Sequence, residues 1–161
     1  MSTITPTLWF DGHAQEAAEH YTSIFPDSKI TNVAHSAADN PSTARGEVLT
    51  VDFTIGGQQF IGLNGGHDFP FTEAVSFTID CKDQAEVDRY SEALISGGGA
   101  QGPCGWVKDR FGLSWQVVPR QLNEMLASSD RDAAARAMEA MLKMQKIDVE
   151  KLREAFEGVP A

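Results

Sequence analysis

The sequence predicts an α+β fold: two βαβββ modules in tandem, followed by a C-terminal helical hairpin. Three observations carry this. The order of strand, helix and further strands occurs twice along the chain. Sliding the first half by 69 residues lays Asp11 on Asp80, Gln15 on Gln84, Glu19 on Asp88, His20 on Arg89 and Tyr21 on Tyr90. Residues 128–158 then abandon that order for two helical patterns. The expected segments are 1–66 for the first module, 67–121 for the second and 122–161 for the extension.

The first module opens with a strand at 4–10, "ITPTLWF". Ala14, Ala17, Ala18, Tyr21 and Phe25 follow at helical spacing. Pro26 stops that helix, because the residue before proline avoids the helical region. "KITNVAH" (29–35) is a second strand. The polar stretch 36–45 has no apolar period and contains "DNP", so it reads as a long loop and a candidate lid. "GEVLTVDFTI" then alternates, a Gly-Gly pair turns the chain, and "QQFIGLN" returns.

The second module repeats the plan. "AVSFTID" (74–80) is a strand, and the helix after it puts Val87, Tyr90 and Leu94 on one face. The glycine run 97–99 ends that helix. A weakly signalled strand near 100–104 precedes two short strands, 106–109 and 113–118, joined by "DRFG". In the tail, Ala134, Met138, Met141, Leu142 and Gln145 form one helical stripe. Asp148 caps a second helix that turns Val149, Leu152 and Phe156 inward and closes at Gly158. The hairpin should dock on the body or on a partner subunit.

Composition narrows the partners. The net charge of -10 and pI near 4.7 disfavour nucleic acid and anionic membranes, which such a surface repels. No apolar run approaches the ~20 residues that span a bilayer. The N-terminus "MSTITPTLWFDG" has no basic region followed by an apolar core, so a cytoplasmic protein is expected. Cys81 and Cys104 lack metal-ligand spacing and read as free thiols.

Five stretches carry a resemblance: "LWFDGHAQEAAEHYTSIFPDSKI", "FIGLNGG", "EAVSFTIDCKDQAEVDRYSEALISGGG", "CGWVKDRFGLSWQVVP" and "AMLKMQKIDVEKLREAF". Together they resemble the vicinal oxygen chelate superfamily of glyoxalases, bleomycin resistance proteins and extradiol dioxygenases. Within it they look like the PhnB-like branch, labelled as a 3-demethylubiquinone-9 3-methyltransferase domain. The resemblance implies a curved, mostly antiparallel sheet in each half. It also implies a glyoxalase-like cup lined by both halves, within one chain or across a dimer, and commonly a homodimer.

Metal-dependent members take ligands from four strand positions. Counted from neighbouring landmarks, these fall here on Thr5, Gly62, Ala74 and Gln116. Zinc wants thiolate, imidazole or carboxylate, and harder ions want several charged oxygens. A shift of register recovers only Glu73. The expectation is therefore no metal and no other cofactor. The methyltransferase label meets a similar objection. An adenosyl methyl donor usually sits on a glycine-rich loop between strand and helix, whereas "GGGAQG" follows a helix.

Strand alternation assigns the faces. Leu8 and Phe10, like Val75, Phe77 and Ile79, should pack under helices. The alternate residues should line the cup: Thr5, Thr7, Trp9, Ser76, Thr78 and Gln116. Similar counting adds Thr50, Asp52, Phe60, Gly62 and Asn64, leaving Ile61, Leu63, Trp115 and Val117 to the core. Hydroxyls, amides and two aromatics suit a neutral or weakly polar small molecule. The same walls would also suit the polar side of a small barrel filled by side chains and water.

For chemistry, the candidates are His67 on a rim loop, Asp52 inside and Cys104 beside the last hairpin. His13 and His20 should face solvent on the first helix, and His35 ends a strand. Three functions stay open: binding of a small molecule, a metal-independent isomerase or lyase, and a metalloenzyme whose ligands are misregistered.

Overall fold

Leu8 and Phe10 alternate with Thr7 and Trp9, and that alternation builds β1 (Thr7–Phe10). In the computed structural model, which describes residues 3–159, the chain divides into two units, Met1–Phe71 and Thr72–Ala161. The first unit continues with α1 (Ala14–Ile24), β2 (Lys29–His35), β3 (Val48–Ile55) and β4 (Gln58–Asn64). Its sheet has the order β1-β4-β3-β2, with β1 parallel to β4 and the other pairs antiparallel. The alanine face of α1 and Tyr21 are buried, and Val51 and Phe53 of β3 lie in the same core. Tyr21 and Phe53 pack with ring centroids 6.2 Å apart. Gly56 and Gly57 both take positive φ at the β3–β4 turn, which side chains with a Cβ resist.

The second unit holds β5 (Ser76–Cys81), α2 (Gln84–Ile95), β6 (Ala100–Gln101), a 3-10 turn (Pro103–Gly105), β7 (Trp106–Lys108) and β8 (Ser114–Pro119). Its sheet order is β5-β8-β7-β6, again with the first and last strands parallel. The two sheets therefore share one topology, which is the duplication expected from the sequence. Asp83 caps α2 by accepting from the Glu86 amide at 3.0 Å. Val87, Tyr90 and Leu94 are buried as the spacing predicts.

Several local expectations are corrected. β1 starts at Thr7, so Thr5 lies before the strand. Val75 precedes β5 and is exposed rather than packed under a helix. His20 is half-buried beside the Tyr21 ring. The strand expected near 100–104 is only two residues long, because the 3-10 turn takes over at Pro103.

The tail has three helices: α3 (Arg120–Leu126), α4 (Arg131–Met141) and α5 (Val149–Glu157). The sequence reading missed α3. Asp148 and Gly158 cap α5 as expected, with Gly158 at φ 76. The buried stripe of α4 is Ala133, Ala134 and Ala137, whereas Met138 and Leu142 are exposed. Leu122, Ile147 and Leu152 form the core under this extension.

Candidate functional site

Register fixes which side chains share a face. In the first sheet Thr7 pairs with Ile61, Trp9 with Leu63, Thr50 with Leu63 and Asp52 with Ile61. These residues occupy the face away from α1. Phe60, Gly62 and Asn64 lie on the opposite face, which corrects their expected place in the cup. Phe60 stacks on Phe53 at 5.7 Å within the core. A Cβ on Gly62 would sit 3.2 Å from the Ala14 Cβ, so α1 packs directly on this glycine. Asn64 is buried: its Oδ1 accepts from the Ala14 amide at 2.9 Å and its Nδ2 donates to the Val48 carbonyl at 2.9 Å.

The open face of the first sheet is partly occupied by the chain itself. Trp9 Nε1 donates to the Gly66 carbonyl at 2.7 Å, and Phe69 meets the indole edge-on at 5.0 Å. Asp52 accepts from Asn32 Nδ2 at 3.3 Å. Thr5, Asp52 and Phe60 border a small hollow of about 200 Å³. The loop 36–45 is closed by its own bonds. Asn40 reaches Ser36 and Thr43 with its amide nitrogen and receives the Thr43 amide, while the buried Ser36 and Thr43 hydroxyls bond each other. Such internal closure suits a structural loop better than a moving lid.

In the second sheet Ser76, Thr78 and Gln116 share the face away from α2 as expected, and Gln116 Nε2 donates to Ser76 Oγ at 3.0 Å. Trp106 pairs with Gln116, and Lys108 with Ser114, so both join that face. The sequence reading missed Trp106 and Lys108. The signal was present: each is two residues from its neighbour on a strand whose partner, Gln116, had been placed. A recess of about 560 Å³ opens here, bordered by Ala100, Pro103, Cys104, Trp106, Lys108 and Ser114. Lys108 Nζ is paired with Glu73 at the rim. That ammonium holds the Glu73 carboxyl below its ordinary range, chiefly by hydrogen bonding.

Of the candidate catalytic groups, Asp52 and His67 belong to the first unit and Cys104 to the second. His67 is 85% exposed and lies 3.5 Å from Asp68. Cys104 belongs to the recess, in a left-handed conformation at φ 55. Cys81 is fully buried, and that burial pushes its thiol up to about 12. A larger groove of about 1110 Å³ lies between α2 and the extension, where Lys146 pairs with Asp88 and Lys151 with Asp148.

The divalent ion that the resemblance implies finds no fitting donor set within either sheet among the described residues. Gly62 faces α1, so the first sheet offers Thr7, Trp9, Ile61 and Leu63 at the relevant strands, and the second offers Ser76, Thr78 and Gln116. Ala74 is exposed ahead of β5. Among the described residues, no three His, Cys, Asp or Glu side chains are grouped to hold a metal. Among the same residues, no helix is long and apolar enough to cross a membrane.

The profile of the family described as 3-demethylubiquinone-9 3-methyltransferase matches residues 2–118. The chain belongs to this family. It is a PhnB-like chain. The PhnB protein from Bacillus cereus, which carries the same methyltransferase description, is 32% identical over 73% of this chain and 99% of its own, with a TM-score of 0.63. Protein PA1353 from Pseudomonas aeruginosa shares the fold at 22% identity, covering 74% of this chain and 98% of its own (TM-score 0.52). The fosfomycin resistance protein FosX from Mesorhizobium loti does so at 19% identity, over 79% and 98% (TM-score 0.50). Among proteins of curated function, none matches the chain.

The family match ends at residue 118, so α3, α4 and α5 of this PhnB-like chain lie beyond it, and so does the tail stretch counted in the resemblance. The family description implies a methyl donor, and the glycine run does not fit one. Gly97 and Gly98 take φ 77 and 125 at the C-terminal end of α2, and Gly99 donates back to the Ile95 carbonyl at 2.8 Å. This is a helix stop, not a strand-to-helix cradle.

Proposed function

We propose that this PhnB-like chain binds a small, flat, mostly apolar molecule on the open face of its second sheet, without a chelated metal. The recess bordered by Trp106 carries the reading. Its size suits a small ligand. Its walls pair an indole, a proline and an alanine with a few polar groups, Ser114, Cys104 and the Lys108–Glu73 pair. Gln116 and Ser76 extend the same face with an amide and a hydroxyl. Such a surface holds its ligand by stacking and a few hydrogen bonds, in keeping with a neutral or weakly polar molecule.

Titration with 2-naphthol, followed by its own emission, tests the reading. Trp106→Ala should weaken binding about ten-fold, the effect of losing one aromatic wall. Equal affinity in wild type and variant would overturn the assignment. The family likeness also supports a homodimer. Sedimentation equilibrium should then return twice the chain mass of 17.5 kDa, and a single-chain mass would refute it.

A further inference from the structure

The recess has one wall whose backbone amides are bonded outside its own sheet. The turn Pro103–Gly105 runs through two left-handed residues, Cys104 at φ 55 and Gly105 at φ 81. Left-handed backbone is unfavourable for a residue with a side chain and persists where surrounding contacts fix it. Here the C-terminal extension supplies both amide hydrogen bonds. The Cys104 amide donates to the Met144 carbonyl at 2.9 Å, and the Gly105 amide to the Gln145 carbonyl at 2.7 Å. Gly105 is packed so closely that a Cβ would lie 2.9 Å from Ile147 Cγ1 and 2.9 Å from the Val117 carbonyl.

The segment that supplies these carbonyls is itself latched to α2. Gln84 Nε2 donates to the Ile147 carbonyl at 3.0 Å, and Gln84 Oε1 accepts from the Val149 amide at 2.8 Å. Lys146 pairs with Asp88 at 2.7 Å. Ile147 is fully buried with Leu122 and Leu152. A chain of contacts thus runs from Gln84, through residues 144–149, to the Cys104 turn, and Cys104 borders the recess. Among the described residues, none from the extension borders the recess itself.

Resting on the reading of that recess as a ligand site, we propose that the C-terminal extension is its positioning element. It holds the Cys104–Gly105 wall in the binding conformation and so tunes the affinity of a surface it does not line. Gln84 and Ile147 are the positioning residues. The coupling is reciprocal: a ligand that needs the wall in place also favours the docked extension.

The test is hydrogen exchange of the Cys104 and Gly105 amides, measured beside 2-naphthol affinity in full-length protein. Gln84→Ala should speed exchange of both amides roughly 30-fold, the factor carried by two hydrogen bonds of ordinary net strength. It should also weaken 2-naphthol by about five-fold or more as the competent population falls. Gln84→Glu keeps the acceptor for Val149 and loses the donor to Ile147, so it should fall between wild type and Gln84→Ala in both readouts. Gln15→Ala, at the equivalent position of the first unit, should change neither. In wild type, saturating 2-naphthol should slow exchange of the same two amides. Faster exchange with 2-naphthol affinity unchanged would overturn the proposal while leaving the ligand site intact. Failure of 2-naphthol to bind wild type would instead overturn the site itself.

Discussion

Asn64→Ala distinguishes a buried clamp from a ligand-pocket residue. The helix α1 begins at Ala14, and its N-cap residue, His13, makes no side-chain capping bond. The first-turn amide of Ala14 is one of the donors a helix cannot satisfy internally. Asn64, fifty residues later at the end of β4, accepts it at 2.9 Å. The same side chain donates to the Val48 carbonyl at 2.9 Å, so it ties the helix start to two strands. Truncation leaves a buried donor and a half-buried acceptor without this partner, at about 1–3 kcal/mol each where water cannot replace it. Allowing for partial rehydration, the expected loss is about 2–4 kcal/mol. With a urea m-value of about 2 kcal/mol/M, the midpoint should fall by about 1–2 M. If the units unfold separately, the shift belongs to the first unit's transition. Affinity for 2-naphthol should stay within about two-fold of wild type. A midpoint shift below about 0.3 M, with ligand affinity lost, would refute the clamp and return Asn64 to the binding surface.

Three further outcomes follow from the second unit. Asp109 is buried and accepts from the Phe111 and Leu113 amides at 2.9 and 3.0 Å and from Trp115 Nε1 at 2.9 Å. Asp109→Asn turns a donor toward donors and should cost about 2–3 kcal/mol in urea unfolding, with altered near-ultraviolet dichroism; an unchanged spectrum and midpoint would count against it. Burial pushes the Cys81 thiol up to about 12, so iodoacetamide near neutral pH should modify Cys104 alone in folded protein and both thiols in urea. Lys146, then Gln84, hold the Asp88 carboxyl below its ordinary range. Its contribution is present above the unfolded value of about 3.9 and is lost as pH falls through the lower folded value. Because both groups of the pair are about two-fifths exposed, the effect should be only ~0.2–1 kcal/mol, and Lys146→Met should flatten that acid slope in stability curves.

The helices and their buried faces were legible because Ala, Tyr, Val and Leu recur at strict helical spacing in α1 and α2. The open faces of β1, β3, β5 and β8 were legible because apolar and polar residues alternate there. β4 was misread for a physical reason. Its sequence carries large apolar side chains, Ile61 and Leu63, on the face away from α1, and on the helix side, beyond Phe60, the small Gly62 and the polar Asn64. Apolarity therefore pointed the wrong way. Close approach of α1 requires glycine at 62, and the uncapped start of α1 requires an amide at 64. The same bias misplaced the α4 stripe, where alanines make the close contact and the bulkier Met138 and Leu142 do not. α3 was overlooked because seven residues give barely two helical turns, although Leu122, Met125 and Leu126 show the spacing.

The duplicated positions show how the extension was accommodated. Gln15 and Glu19 bond each other across one turn of α1 at 3.0 Å, and Gln84 and Asp88 do the same on α2 at 3.0 Å. In the first unit that pair is exposed. In the second, the remaining capacity of the same two side chains is used: Gln84 bonds the backbone of residues 147 and 149, and Asp88 takes Lys146. The polar pair therefore does not itself dictate a docking surface, because an identical glutamine with an acidic partner supports none of these contacts in α1. What differs is the strand that follows. The two-residue β6 and the left-handed turn after it leave the Cys104 and Gly105 amides available to donate to the carbonyls of residues 144 and 145. Restoring a longer strand at 100–105 would draw those amides into sheet pairing, and the extension would lose its hold on the recess even with Gln84 intact.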